Sequence, residues 1–410
     1  MSKRPLGASK IRYPKIERTL RRRKNEPHPK RPKEISDIIN AYKKQVNMIE
    51  YGLNLRKTKR LYINTVEHEQ FSFTLFASLE TVSLIENHIP PEKRNYSVDG
   101  TFDVTPMSCF HQLLTIHIEY DTIVYPVFFV LMTRATAIAY KAVFRYIEDN
   151  IFELKPARFM ADFEAAMRKA IADFYPHTEI NGCWYHFCAA VRRKTLSFGL
   201  HNLIKNSFGA WSVYKKLLCL PLLPASKIVK GFNIVVQQST DFGVLDEFEE
   251  LFAYFQNFWL HLNSKNSISV CDLDNRTTSP LESYHSAMNR LMLKHASFFV
   301  FVSYLKLYES RRSDDLYNAI HDKCPVQKAK HRRDQERDKQ IRSDTQLLCS
   351  GLISTEEFLN KFVGDERTEY HVPYEKEVNC SDQSSESDDM DTFEEVDENS
   401  GEEMDTDTDD

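Results

Sequence analysis

Residues 158–193 read RFMADFEAAMRKAIADFYPHTEINGCWYHFCAAVRR. The run RFMADF is short and apolar and stops at Asp162, while EAAMRKAIADFY has the Ala content and apolar spacing of an amphipathic helix. Asp162 therefore belongs at a strand-to-helix turn. Pro176 breaks the helix, TEINGCWY predicts a second short strand, and HFCAAVRRKTL returns to helical spacing. The outcome is β-α-β-α with a carboxylate at the carboxyl edge of its first strand, where open α/β sheets gather ligands and metals. Taken alone, Asp162 is equally well read as a helix cap. Glu164, at the helix start, suits the positive end of the macrodipole and is read as structural.

Working upstream, the period changes at Asn95. NYSVDGTFDV, FHQLLTIHIEY and TIVYPVFFVLM predict three antiparallel strands, with Asp99 inside the first. A carboxylate within an apolar strand is expensive to bury unless it is paired or holds a metal. TAIAYKAVFRYIEDNIFE then predicts an amphipathic helix leading into RFMADF. Three antiparallel strands, a helix, then alternating strands and helices is the order of the ribonuclease H-like fold, an α/β fold with a mixed sheet. That fold carries one acid on its first strand and another at the end of its fourth, the places of Asp99 and Asp162.

These stretches resemble the MULE transposase domain of Mutator-like elements. DGTF at Asp99–Phe102, FHQLLTIHI, YPVFFVLM, ADFEAAMRKA and GCWYHFCAAVRR match that family's pattern in content and order. The resemblance covers residues 95–200 and extends more weakly to about residue 310. It implies a DDE-type transposase, with a helical insertion domain between the second and third acids. The third acid is implied in NRTTSPLESYHSAMNR as Glu282, with Arg276 and Thr277 matching the start of the motif and His285 its end; TTSP stands where the family has an Asn pair. Asp99, Asp162 and Glu282 are then the catalytic and metal-binding residues. Chemistry gives an independent reason to want several acids, because two Mg²⁺ or Mn²⁺ ions about 4 Å apart can activate an attacking oxygen and stabilise a leaving one. Hard oxygen ligands suit such ions. Read singly, each acid is a surface or capping residue.

Cys183-x-x-His186 resembles half a zinc site, and Cys188 offers a third ligand without a fourth nearby, which disfavours structural zinc. In the resemblance, Cys183 and His186 belong to the family signature and support the site or contact DNA. Trp184 and Tyr185 read as packing residues. Trp211 and Trp259 are candidates for stacking on a base, with burial in a core as the competing role. Arg192, Arg193 and the cluster Arg21, Arg22, Arg23 and Lys24 are candidate DNA contacts.

The expected organisation is a basic disordered arm (1–33), a helical module (34–94), the first part of the ribonuclease H-like core (95–200), a helical insertion (201–275), return helices bearing the third acid (276–320), a C-terminal helical region (321–373) and an acidic disordered tail (374–410). Charge follows this order. Residues 1–33 hold 13 Lys/Arg against Glu17 and Glu26, and residues 381–410 hold 15 Asp/Glu and no Lys or Arg. A basic front end suits DNA or a nuclear address, and the chain is expected in the nucleus. Eight scattered cysteines, with no Cys-x-x-Cys pair, argue against a disulfide framework. No apolar run approaches the roughly 20 residues of a membrane span, so no membrane partner is expected.

The resemblance further implies DNA partners (terminal inverted repeats and target DNA) and a homo-oligomer, since two element ends must be joined. Animal members often carry an N-terminal FLYWCH-type finger, yet residues 1–94 contain no cysteine. End recognition is then expected from the helical region and basic arm, from a partner, or from a part of the element absent from this chain. The alternative function is a domesticated DNA-binding or chromatin-associated protein that keeps the fold without cleaving.

Overall fold

The structure is a computed structural model that describes residues 28–106, 109–263, 265–277, 279–291, 294–321 and 332–363. The basic cluster Arg21–Lys24 and the acidic tail lie outside the described residues. In chain order the elements begin with α1 (Ile35–Lys43), β1 (Tyr62–Glu67), β2 (Ser72–Ala77), α2 (Leu79–His88), β3 (Asn95–Thr101), β4 (Gln112–Tyr120) and β5 (Ile123–Met132). There follow α3 (Ala137–Asn150), β6 (Arg158–Ala161), α4 (Ala165–Phe174), β7 (Glu179–Gly182) and α5 (Trp184–Ser197). The later helices are α6 (His201–Asn206), α7 (Phe208–Cys219), α8 (Ala225–Asp241), α9 (Leu245–Tyr254), α10 (Lys265–Ile268), α11 (Ser279–Leu291), α12 (Phe298–His321), α13 (Arg332–Cys349) and α14 (Thr355–Asn360).

The seven strands form one mixed sheet in the order β1-β2-β5-β4-β3-β6-β7. The pairs β3–β4 and β4–β5 are antiparallel, whereas β3–β6 and β6–β7 are parallel. Strands β3 to β7 alone reproduce the arrangement compatible with a ribonuclease H-like fold. The β4–β5 hairpin turns through Asp121 and Thr122, both at positive φ, as a tight two-residue hairpin requires. Opposite Pro126 in β5 the register slips at Ile116/His117, because proline has no N–H to give the ladder.

Residues 34–94, expected to be helical, contain the β1–β2 hairpin, which adds two strands to the β5 edge. The reason is visible in YINTVE and SFTLFA, whose β-branched and aromatic residues fit a pleated, buried surface. The strand expected over TEINGCWY is shorter: Cys183 caps α5, and Trp184 and Tyr185 are already helical.

Strand alternation gives the sheet two apolar faces. Val130 and Met132 pack on one side with Tyr140, Val143 and Phe144 of α3 and Met167 and Ile171 of α4. Phe129 and Leu131 pack on the other with Tyr42 of α1, Tyr284 and Met288 of α11, and Phe298 to Leu305 of α12. Between β7 and Ser279 the described residues form helices and turns, with a core of their own that includes Trp184, Leu217, Phe232, Phe255 and Trp259. Met160, Phe163 and Cys183 join that core to the ends of β6 and β7.

Candidate active site

Asp99 owes its position to strand alternation. Tyr96 and Val98 of β3 enter the core beneath α3 and α4, which turns Asp99 to the opposite face. There it lies across from Thr115 of β4 and is only 7% exposed. His285 of α11 meets it, with Nδ1 3.3 Å from Asp99 Oδ2. The other ring nitrogen, Nε2, is 2.9 Å from the Thr115 hydroxyl.

Asp162 is the first residue beyond β6, the parallel neighbour of β3. Its Oδ1 accepts the backbone N–H of Glu164 at 3.0 Å, and its carbonyl accepts a guanidinium N–H of Arg168 at 3.1 Å. Phe163 holds the turn from below, packing edge-on against the fully buried Trp259. Gly182 of β7 leaves room for this ring, since a Cβ there would lie 2.1 Å from Phe163 Cζ. Burial, then the charge of Asp99, raises the Asp162 pKa; His186, the Glu164 N–H and Arg168 oppose the rise. Asp99 and Asp162 thus repel one another at the carboxyl ends of adjacent parallel strands.

Cys183 and His186 come to this place from the start of α5. Burial works against a charge on His186, but Cys183, which is hydrogen-bonded to it, together with Asp162 and Asp99 outweighs burial and pushes its pKa up to about 10. These neighbours favour a protonated imidazole beside the two aspartates. Cys188 instead faces the Leu218 carbonyl, and burial followed by Cys219 and Cys183 pushes its thiol well up.

Glu164 belongs to the same group, which the sequence reading missed by treating it as a helix-dipole residue. The Tyr140 hydroxyl donates to its carboxylate at 3.0 and 3.1 Å, and Gln112 Nε2 donates to that hydroxyl at 2.6 Å. Burial, then Asp162, lifts the Glu164 pKa to about 8 against the pull of Tyr140, with Asp99 adding to the rise. The signal in the sequence was the D-x-E spacing across a strand-to-helix turn. The signal needed Tyr140 and Gln112, distant in sequence, to become interpretable.

This shift has a testable consequence. The folded value of about 8 lies above the ordinary value of 4.5, so the folded chain holds this proton more tightly than the unfolded one. The contribution to stability is complete below the unfolded pKa and is lost as pH rises through the folded pKa. In metal-free buffer, Glu164→Gln is expected to flatten the decline in melting temperature between about pH 5 and about pH 8. A decline of wild-type size in the variant would assign it to other groups.

The remaining sequence candidates separate. Glu282 lies on α11, one turn before His285, but its side chain is outside the described residues. Arg276 is buried and pairs with Asp338 of α13 at 3.0 Å, while its carbonyl accepts the N–H of Trp184. It ties the approach to α11 onto α5 and α13. Trp259 is fully buried among Phe163, Phe187 and Phe258, so packing is its role and its ring is not presented to a base. Trp211 is partly buried, with the Lys215 ammonium 4.2 Å from its ring centre. Arg192 is half-buried and Arg193 exposed on α5. Among the described residues, no group of three or more His, Cys, Asp or Glu side chains stands in a metal-holding arrangement. Among the described residues, too, no helix is long and apolar enough to cross a membrane.

No curated protein matches the chain. A protein-family model does, over the segment that supplies Asp99, Asp162, Glu164, Cys183 and His186 but stops short of Arg276, Glu282 and His285. Residues 96–190 match the family model of the MULE transposase domain.

Proposed function

We propose that this chain is a DDE transposase of Mutator-like type, a Mg²⁺- or Mn²⁺-dependent nuclease and strand transferase acting on DNA at element ends. The observation that carries the reading is the pair Asp99 and Asp162. They stand on adjacent parallel strands, close enough for the charge of Asp99 to disfavour that of Asp162, inside a segment matching a transposase domain. Proteins keep such repelling, desolvated carboxylates where a function needs them.

The donor chemistry suits a hard divalent cation: carboxylate oxygens, with a net repulsion that a positive charge would relieve. Asp99 and Asp162 would hold it, with Glu282 completing the set. Bound divalent ions would supply Lewis-acid polarisation of the phosphodiester and a more acidic attacking hydroxyl. The protein's own groups prepare the place. His285 engages one oxygen of Asp99, and the Glu164 N–H engages one oxygen of Asp162. Burial and Asp162 raise the Glu164 pKa to about 8, which in the metal-free protein favours a proton on it and lessens the negative charge beside them. A protonated His186, which its neighbours favour, would offset part of the charge that remains.

In this reading the helices of residues 201–275 form an insertion domain that closes over DNA, and Arg192, Arg193 and the arm containing Arg21–Lys24 contact phosphates. Two copies of the chain join two element ends, and the site of action is the nucleus. The test uses the purified full chain and DNA bearing the cognate terminal inverted repeats. Nicking is expected with Mg²⁺ or Mn²⁺, absent with chelator and restored on adding the metal back. Metal-independent nicking of equal rate would sink the reading. Salt-sensitive binding without cleavage under any of these conditions would favour the domesticated, non-cleaving alternative.

A further inference from the structure

We propose that His285 is a positioning residue for Asp99, joined with Thr115 in a latch that arrests the Asp99 carboxylate and fastens α11 to strand β3. The inference deepens the metal-dependent reading above and rests on it.

The contacts of the ring support the arrangement. The Thr115 hydroxyl has one proton to donate and two acceptors within reach: His285 Nε2 at 2.9 Å and the Asp99 carbonyl at 3.3 Å. Asp99 Oδ2 lies 3.3 Å from Nδ1, a contact that is attractive when Nδ1 carries the ring proton. Nε2 exchanges a hydrogen bond with the Thr115 hydroxyl, accepting its proton when the ring is neutral and donating to its oxygen when both nitrogens are protonated, in which case the hydroxyl proton goes to the Asp99 carbonyl. Both ring nitrogens are thus engaged, Nε2 by the Thr115 hydroxyl and Nδ1 by Asp99 Oδ2. The contact at Oδ2 restricts rotation of the Asp99 carboxylate.

Packing holds the ring in place. Asp99 and His285 are 7% exposed each, and Thr115 is fully buried. Tyr284, which precedes His285, meets the buried His117 of β4 edge-on, with centroids 4.5 Å apart, and its carbonyl accepts the Tyr308 hydroxyl of α12. Thr115 and His117 point from the same face of β4. Two successive aromatic rings of α11 therefore seat on that strand. The latch also ties strand β3 to the helix that carries Glu282 one turn earlier, so the acids of the proposed set are referred to a common frame. Supporting groups of this kind change metal affinity by about 10- to 100-fold when removed.

The test measures Mn²⁺ uptake by the full chain, by electron paramagnetic resonance, alongside thermal unfolding. Thr115→Val keeps the side-chain shape and removes the hydroxyl; Thr115→Ser keeps the hydroxyl. His285→Ala removes the ring, whereas His285→Asn retains an amide donor near Nδ1. Thr115→Val and His285→Ala are expected to weaken Mn²⁺ binding by about 10-fold or more, with Thr115→Ser and His285→Asn close to wild type. A purely packing role would leave Thr115→Val at wild-type affinity, and that result overturns the latch alone. Wild-type protein that takes up no Mn²⁺, or Asp99→Ala protein that takes it up undiminished, overturns the metal site and the latch together.

Discussion

Asp162→Asn is expected to lower metal-dependent DNA cleavage by on the order of 10³-fold while leaving the fold intact and its stability unchanged or higher. The size follows from a metal contribution of several kcal/mol, at about 1.4 kcal/mol per factor of ten. Asparagine is the informative replacement because its side-chain oxygen can still accept the Glu164 N–H that closes the turn. Alanine would also remove this capping bond, at about 0.5–2 kcal/mol, and so mix two effects. The sign on stability comes from electrostatics. Burial and Asp99 both disfavour the Asp162 charge, so removing it relieves the metal-free protein. The opposing effect, loss of a partner for His186 and Arg168, is smaller in that balance. Function lost with stability kept or gained is the signature of a residue held in an unfavourable state for its chemistry. Cleavage assays and thermal melts on the same preparation give both numbers. Equal nicking by wild type and variant would remove Asp162 from the chemistry, and a large drop in melting temperature would make it structural. DNA binding should be unchanged, with the same dependence on salt.

Trp259→Ala is expected to cost about 3–5 kcal/mol of stability. The indole is fully buried, with ring centres of Phe163, Phe187 and Phe258 between 4.7 and 4.8 Å away. Deleting it opens a cavity that these rings cannot close without moving. Phe163 follows Asp162 directly, so the cavity loosens the turn that positions the acid, and cleavage should fall together with stability. Trp259→Phe should recover most of both, since it restores ring packing and removes an indole N–H that finds no hydrogen-bond partner among the described residues. Chemical denaturation of the three proteins measures the difference. If Trp259→Ala melted like wild type yet failed on DNA, the packing assignment would be wrong and a stacking role would return.

Most of the sheet could be read from residue pattern. The strands NYSVDGT, QLLTIHIEY and IVYPVFFVLM, the helix AIAYKAVFRYIEDN and the strand RFMA each carry their own period or length. Their order then leaves few topologies open. The β1–β2 hairpin was hidden because YINTVE and SFTLFA sit between two helical patterns, and six-residue runs hold few repeats to distinguish a period of 2 from one of 3.6. Of the residues the fold brings together, Asp99 and Asp162 stood out by their places in the strand order, and Cys183, His186 and His285 through the resemblance to the transposase family. Glu164 did not, because its character depends on Tyr140 and on the charge of Asp162 rather than on its neighbours in the chain. Trp259 was ambiguous for a related reason: a tryptophan on an amphipathic helix reads the same whether its face meets solvent or another core.

What the amino-acid order determined by itself was local and periodic: which segments alternate, which coil, and that an acid ends one strand and interrupts another. Tertiary structure alone decided which of those groups feel each other. The parallel pairing of β3 with β6 sets Asp99 against Asp162, and α11 brings His285 to Asp99 across 186 residues of chain. The physical reason is that backbone periodicity is set within a few residues. Desolvation and Coulomb interaction depend on distances in space, which only the closed fold provides.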